Sequence, residues 1–244
     1  MSKGLLLEIR PGTGGEEAAL FASNLLEMYF KFATRQKWPV KVLNLHQTSL
    51  GGVKEATLEI SSPEAFHLLK QEAGVHRVQR IPKTEKGGRV HTSTATVVIL
   101  PKISEVKIKI NPSDLKIDTY RASGAGGQYV NKTESAVRIT HLPTGIAVAC
   151  QSERSQATNR EKAMEILQAK LAQLTHEQQQ GKITTERKSQ IGTAERSEKI
   201  RTYNFPQDRI TDHRIKKSWH NLNNILNGRL DVIIKAFQKK QEGK

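Results

Sequence analysis

The residues best suited to chemistry lie at positions 121–132, a run of Arg-Ala-Ser-Gly-Ala-Gly-Gly-Gln-Tyr-Val-Asn-Lys. Glycine adopts backbone angles that are closed to other residues and lets the main chain approach another molecule closely. Gly126, Gly127 and Gln128 therefore indicate a loop whose backbone contacts a partner. A flexible surface turn is the alternative for a Gly-Gly-Gln taken alone. A phosphate-binding loop is disfavoured, because neither the Lys-Ser/Thr of a P-loop nor the spacing of a dinucleotide fingerprint follows.

A second polar stretch, residues 82–89, lies between two segments that are predicted as strands, 76–81 and 90–100. The later segment is rich in β-branched residues, and the order strand, polar loop, strand predicts a β-hairpin. Its tip presents basic and hydroxyl side chains: Lys83, Thr84, Lys86 and Arg89. Taken alone, this pattern is explained by a basic hairpin that binds RNA.

The charge balance indicates a large anionic partner. The chain has 244 residues, with 39 Lys+Arg against 24 Asp+Glu and a net charge of +15. Such a field favours polyanions through phosphate neutralisation and counterion release. No segment approaches the roughly 18 consecutive apolar residues of a membrane span. The single Cys150 excludes an internal disulfide and a cysteine zinc site. We therefore expect a cytoplasmic protein without a membrane segment.

The sequence does not predict a self-contained active site. No serine occupies a Gly-x-Ser-x-Gly elbow, and no histidines or cysteines have the spacing of metal ligands. The remaining candidates are scattered along the chain: His76, His91, Ser93, Ser123, Ser152 and Ser155. We therefore expect neither a bound metal nor a cofactor.

The first 111 residues predict a compact α+β unit. A short strand at 5–9 leads into a helix that carries Glu16 and Glu17 in its first turn, where acidic side chains suit the helix dipole. By default, Glu17 is only such a favourable charge. The core face of this helix is predicted from helical spacing: Ala18, Phe21, Leu25, Met28 and Phe32. Paired strands at 39–46 and 53–60, with Ala56, Leu58 and Ile60 inward, precede a helix from Ser62-Pro63 to a stop at Gly74. A last strand is expected at 105–110, with Val106, Ile108 and Ile110 on one face.

Turn residues at 111–114 mark a boundary, after which a smaller unit is expected over 112–190. It contains a strand at 115–120, a hairpin of 135–141 with 145–151, and a long helix from about residue 155. Cys150 is predicted to be a small buried hydrophobe. Residues 178–196 lose the apolar period and are predicted as an exposed connector and hinge. Residues 199–212 show no periodicity, and two closing helices are expected near 222–225 and 230–237.

Four stretches resemble bacterial class I peptide chain release factors: residues 12–22, 76–97, 121–160 and 192–215. The resemblance extends from about residue 5 to 231. It implies a protein that enters the ribosomal A site, reads a stop codon and triggers hydrolysis of peptidyl-tRNA. The implied fold class is α+β: a stop-codon recognition domain (1–111), a small β-sheet and long-helix domain that carries the Gly-Gly-Gln loop (112–190), and a switch segment with a C-terminal helical domain that packs on the first (191–244).

The resemblance also implies a mechanism for the Gly-rich loop. In this family the backbone N–H at the position of Gln128 stabilises the developing oxyanion and the leaving 3′-hydroxyl, and a preorganised donor of this kind contributes about 3–4 kcal/mol. Gly126 and Gly127 would permit the backbone angles that aim this N–H. The Gln128 side chain would exclude nucleophiles other than water, and it matches the glutamine that a dedicated methyltransferase converts to N5-methylglutamine.

The hairpin Pro82-Lys83-Thr84 matches the Pro-x-Thr tripeptide of release factors that read UAA and UAG. The resemblance further implies that two groups of residues contact the codon. One lies beside the hairpin: Gln79, Val90, His91 and Thr92. The other, Gly14 and Glu17, lies at the helix tip against the first uridine. A Thr84 hydroxyl can donate or accept, so it suits either A or G, and the His91 ring offers a stacking surface. Lys83 and Tyr129 depart from the residues expected at their positions.

Family members carry a helical domain of about 100 residues before the strand at 5–9, where this chain begins. The sequence leaves open whether it is part of a longer protein or a natural short paralogue. The implied partners are the ribosome (rRNA, stop codon and P-site peptidyl-tRNA) and the release-factor glutamine methyltransferase, and a monomer is expected. Two alternatives remain: a codon-independent ribosome-rescue factor and a non-catalytic basic RNA-binding module.

Overall fold

The computed structural model describes residues 4–82, 87–102, 110–121 and 133–242. The chain divides into two compact units, the first formed by residues 1–104 together with 183–244 and the second by residues 105–182. The two ends of the chain therefore build one unit in common. Its limits lie a few residues before the boundaries expected at 111 and 190.

Helices and strands follow one another in a mixed order along the chain. Numbered in chain order, they are β1 (Leu5–Pro11), α1 (Gly15–Arg35), β2 (Val40–Gln47), β3 (Val53–Ile60), α2 (Pro63–Leu69), β4 (Gly74–Arg80), β5 (His91–Pro101), β6 (Leu115–Tyr120), β7 (Ala136–His141), β8 (Ile146–Cys150), α3 (Gln156–Ile191), β9 (Lys199–Asn204), β10 (Arg209–Asp212), β11 (Lys217–His220), α4 (Leu222–Leu226) and α5 (Asp231–Glu242). The mixed α+β class confirms the prediction.

The first unit is built on an eight-stranded sheet in the order β11-β10-β9-β4-β5-β1-β3-β2. Neighbouring strands are antiparallel except for β4 and β9, which run parallel. The predicted apolar stripe of α1 is buried, as are the predicted inward residues Ala56, Leu58 and Ile60 of β3. All of them except Ala18 share one core with residues of β9, β10, α4 and α5. The C-terminal segment thus packs into the same core as the first strands.

Gly74 has a different role from the one predicted. Helix α2 begins with Pro63 after Ser62, as expected, but it ends at Leu69 and a 3-10 turn continues to Glu72. Gly74 is the first residue of β4 and has a φ of +136°, and a Cβ there would lie 2.8 Å from Cγ2 of Ile200. The glycine therefore permits the close approach of β9, and the prediction of a helix stop is wrong.

The second unit is a three-stranded antiparallel sheet, β6-β7-β8, covered by α3. Its core joins Val137, Ile139 and Val148 to Leu167 and Leu171 of the helix. Cys150 is buried in the same core, which confirms its prediction as a small hydrophobe. The strand expected at 105–110 lies outside the described residues except for Ile110, which packs against this core.

The exposed connector predicted for residues 178–196 is helical as far as Ile191. Gln, Lys, Glu and Arg dominate this stretch, and all of them have good helix propensity. A helix that is polar on all sides lacks the apolar period on which the prediction relied. Its last residues are held on the first unit: Arg187 Nε donates to Glu8 Oε2 at 2.9 Å, and Gln190 exchanges two hydrogen bonds with the Ile99 backbone, at 2.8 and 3.0 Å. A hinge in this region stays a prediction.

The C-terminal segment is not purely helical, because it contributes β9, β10 and β11 to the large sheet. Sequence periodicity missed β9 because its central Arg201 is completely buried, so a charge stands where an alternating strand would show an apolar residue. Tyr203 and Ile210 fill the core around it. Parallel pairing with β4, which lies more than a hundred residues earlier, is a long-range contact that local pattern does not reveal.

Candidate functional site

The predicted codon-contacting residues converge at one end of the large sheet, where α1 begins, β4 ends and β5 begins. Gly14 is the residue before α1, and Gln79 lies opposite Thr92 in the register of β4 and β5. Val90 is 52% exposed and His91 is exposed at the start of β5, whereas Pro82 is buried. Lys83 and Thr84 lie outside the described residues.

The turn before α1 is bonded directly to β5. Gly12 N donates to Thr94 O at 2.8 Å, and Thr94 N donates to Thr13 O at 2.8 Å. Thr13 N also donates to Thr94 Oγ1 at 2.8 Å. Gly14 follows with a φ of +134°, and a Cβ there would lie 2.5 Å from the Cβ of Ser93. These hydrogen bonds and the close contact at Gly14 fix the first turn of α1 against β5.

Glu17 is more than a favourable charge at a helix N-terminus, because it is 6% exposed and forms an ion pair with Arg80. Arg80 Nη1 also donates to Asn24 Oδ1 at 2.8 Å, so one guanidinium connects two residues that lie about two turns apart on α1. Glu17 Oε2 is buried and accepts no hydrogen bond from the described part of the chain. A buried carboxylate depends strongly on its one cationic partner, so Arg80 orients Glu17.

Sequence reasoning missed the contribution of the end of β9 to this site. The Arg80 guanidinium lies 5.1 Å from the ring centroid of Phe205, in a cation–π contact. Phe205 N donates to Gln79 O at 3.0 Å, and Asn204 Nδ2 donates to Gln79 Oε1 at 3.3 Å. Residues 204 and 205 fall in a stretch that carried the family resemblance, but no local pattern connected them to Gln79 or Arg80.

Gly126, Gly127 and Gln128 lie outside the described residues, but the strands that flank their segment are defined. Tyr120, the last residue of β6, pairs with Ala136, the first residue of β7. The chain therefore leaves the sheet after Tyr120 and returns to the neighbouring strand at Ala136. This pairing closes the base of the segment that holds the Gly-Gly-Gln.

His76, one of the scattered candidates, is a structural residue. It is completely buried, its Nε2–H donates to the carbonyl of Glu72 at 2.9 Å, and its Nδ1 accepts from the Tyr203 hydroxyl at 3.2 Å. Burial, assisted by the nearby Arg201 charge, lowers its pKa to about 4. It is neutral at pH 7 and has no access to a substrate.

Within the described ranges, no group of three or more His, Cys, Asp or Glu side chains could hold a metal ion. No helix in the same ranges is long and apolar enough to cross a membrane.

Known domain models and relatives match nearly the whole chain. Residues 2–97 match the PCRF domain and residues 104–214 match the RF-1 domain. The chain is 62% identical to Peptide chain release factor 1 of Thermotoga maritima, over 94% of this chain and 67% of that protein. It is 58% identical to Peptide chain release factor 1 of Aquifex aeolicus, over 98% of this chain and 66% of that protein.

Among solved structures, RF2 of Thermus thermophilus is similar with a TM-score of 0.60 and 40% identity, over 100% of this chain and 69% of that one. This chain thus spans about two thirds of the length of the relatives that it matches. Since two consecutive domain models and a 62% identical relative agree, the chain belongs to the family of class I peptide chain release factors.

Proposed function

We propose that this release factor reads UAA and UAG in the ribosomal A site and promotes hydrolysis of peptidyl-tRNA through Gly126-Gly127-Gln128. Stop-codon-dependent translation termination is the function of the family. The observation that carries the proposal is the convergence of Gly14, Glu17, Gln79 and Thr92 at one end of the sheet. These residues come from three separate elements, and a plain basic hairpin would not require them to meet.

Codon reading is assigned to the surface beside this convergence. Thr84 is two residues after Pro82, and its hydroxyl can donate to or accept from a purine edge, which suits A and G alike. The exposed ring of His91 is suited to stacking on a base. The net charge of +15 adds attraction to RNA that carries no sequence information. Specificity is therefore assigned to Thr84 and to the few side chains at the sheet end.

Hydrolysis is assigned to the backbone of the Gly-rich segment. The Gln128 N–H would stabilise the oxyanion that forms when water attacks the ester carbonyl, a contribution of about 3–4 kcal/mol. The chain supplies positioning and one donor, and the ribosome supplies the rest of the catalytic site, so the protein is not an enzyme by itself. The same proposal includes methylation of the Gln128 side chain by a glutamine methyltransferase. It also includes action as a monomer and a cytoplasmic location.

Release of formyl-methionine from ribosomes programmed with UAA, UAG, UGA or a sense codon tests the proposal. We expect rapid release on UAA and UAG and little on UGA or the sense codon. Equal release on the sense codon would instead indicate a ribosome-rescue factor. Binding without release on any codon would leave only an RNA-binding module.

The backbone-donor mechanism is tested by Gly127→Ala. We expect release on UAA to fall at least about 100-fold, the usual effect of losing an oxyanion donor, while binding to UAA-programmed ribosomes is retained. The control is Gly145→Ala, in the turn between β7 and β8 of the same unit, where an added Cβ meets no atom within 4 Å. Near-normal release by Gly127→Ala would refute the mechanism.

A further inference from the structure

The side chain of Asn159 joins the start of α3 to the point where the Gly-rich segment returns to the sheet. It is completely buried. Its Nδ2 donates to the carbonyl of Ser135 at 2.8 Å and to the carbonyl of Glu153 at 2.9 Å. Its Oδ1 accepts from Glu153 N at 3.0 Å and is 3.5 Å from the Cys150 thiol. Two donors and two acceptor positions are the full capacity of an amide, so every one of them is used.

A second amide from the same helix holds the neighbouring carbonyl. Gln156 Nε2 donates to Glu134 O at 3.0 Å. The Glu134 side chain in turn lies 3.4 Å from Thr119 Oγ1 on β6. Two consecutive carbonyls, of Glu134 and Ser135, are therefore fixed by α3 just before β7 begins.

The bonds of Asn159 divide into two kinds. Those to Glu153 organise the connection between β8 and α3. The bond to Ser135 reaches 24 positions back along the chain and ties α3 to the residue before β7. Ser135 follows Gln128 by only seven residues, so this bond fixes the chain shortly after the Gly-Gly-Gln in sequence.

We infer that Asn159 is a positioning residue for the hydrolysis step, with Gln156 as its weaker companion. The inference rests on the proposed function of Gly126-Gly127-Gln128. Catalysis by a backbone donor depends on placing that donor within a fraction of an ångström, and a displacement of about 1 Å costs on the order of 100-fold in rate. An anchor at the base of the segment reduces the range of positions that the donor samples. It acts on the reaction rate without contacting the codon or the substrate.

The test is the isosteric change Asn159→Asp. It replaces the donating Nδ2 with a carboxylate oxygen that faces two carbonyls, so both anchoring bonds are lost. We expect the release rate at saturating factor on UAA ribosomes to fall about 10- to 100-fold. The factor concentration for half-maximal rate and the preference for UAA and UAG over UGA should stay unchanged. Asn111→Asp, the same change at an exposed asparagine of the same unit, is the control.

Asn159→Asp places a charge in a core, so the thermal unfolding of this variant is measured first. If Asn159→Asp does not fold, Gln156→Glu is tested in its place. Gln156 is exposed, and the carboxylate introduced by Gln156→Glu would lie in the first turn of α3, where a negative charge favours the helix. A several-fold slower release by Gln156→Glu therefore cannot come from a weakened helix. Gln168→Glu, at an exposed position further along α3, controls for the added charge.

The outcomes separate the inference from the function on which it rests. If the wild-type protein releases on UAA and UAG while a folded Asn159→Asp or Gln156→Glu variant releases equally fast at saturation, only the inference is wrong. A rise in the half-maximal concentration without a change in the saturated rate would also contradict it, since that pattern indicates weaker binding. If the wild-type protein releases on no codon, the proposed function and the inference both fall.

Discussion

At the start of α1, Gly14 leaves no room for a side chain. A Cβ there would lie 2.5 Å from the Cβ of Ser93 and 3.1 Å from its Cα, and the φ of +134° disfavours any other residue. We expect Gly14→Ala to lower the free energy of unfolding by about 1–3 kcal/mol. Gly15→Ala is the control, because Gly15 also has a positive φ but open space around it. The free energy of unfolding is measured by denaturant unfolding. If it falls equally in the two variants, backbone strain and not the contact with Ser93 explains the loss.

Removal of the Arg80 side chain should lower both the free energy of unfolding and the affinity for UAA-programmed ribosomes. Arg80→Ala leaves the buried Glu17 carboxylate without its cation, and losing one partner of a buried pair costs about 3–5 kcal/mol. We expect weaker binding to UAA ribosomes but an unchanged release rate at saturation. The double variant Glu17→Gln/Arg80→Ala should regain much of the lost stability, because a neutral amide no longer needs the cation. If the double variant is as unstable as the sum of the two single variants, the pair is not coupled.

Among the elements, the C-terminal part of α3 is a helix where the sequence predicts a connector, and its helical conformation can be tested by substitution. The connector predicted for residues 178–196 is helical as far as Ile191, with Gly181 in the helix interior. A Cβ at Gly181 meets no atom within 4 Å. Gly181→Ala should therefore raise helix stability by about 1 kcal/mol, and Gly181→Pro should lower it by about 3 kcal/mol. Helical circular dichroism that responds to neither change would indicate that this stretch is not helical in solution.

At the scale of the whole molecule, a buried charge network connects distant parts of the chain within the first unit. Arg201, completely buried, bonds both oxygens of Glu72 at 2.5 and 2.8 Å and also contacts Asp212 at 3.2 Å. Tyr29 of α1 donates to Glu72 at 3.0 Å. Although burial, the largest single effect, raises the pKa of Glu72, the charge and hydrogen bonds of Arg201 together with the nearby Arg214 charge outweigh it, and the pKa is lowered. Arg214 adds a second cation at Asp212, 2.8 Å away, so two carboxylates face two guanidinium groups.

His76, which lies against this network, makes the stability of the unit depend on pH. Its pKa falls from 6.5 to about 4 on folding, so the unfolded chain binds more protons between these two values. Stability is therefore fully present above pH 6.5 and is lost as the pH falls towards 4, by about 1.4 kcal/mol per pH unit and about 3 kcal/mol in all. We expect His76→Gln to flatten this slope in denaturant unfolding at pH 7 to 4.5. A slope equal to that of the wild-type protein would contradict the assignment.

Much of the fold could be predicted from local pattern. The apolar stripe of α1, the alternation of β3 and the turn residues around the β7–β8 hairpin each predict one element correctly. Local pattern failed where charged or polar residues break the apolar period. Arg201 hides the alternation of β9, and the polar surface of residues 178–191 hides the helix. Codon-contacting candidates were identified only through the family resemblance, and their roles stay predictions.

The sequence by itself determined the α+β class, most of the helices and strands and the resemblance to release factors, and it predicted an anionic partner. These follow from composition, short-range periodicity and motifs, which are properties of neighbouring residues. The tertiary structure alone decided that Arg80 orients Glu17, that residues 204–205 complete the sheet end, and that Asn159 reaches Ser135. The physical reason is that each of these contacts joins residues far apart in the chain. Such pairs are brought together by strand pairing and a shared core, which no local pattern encodes.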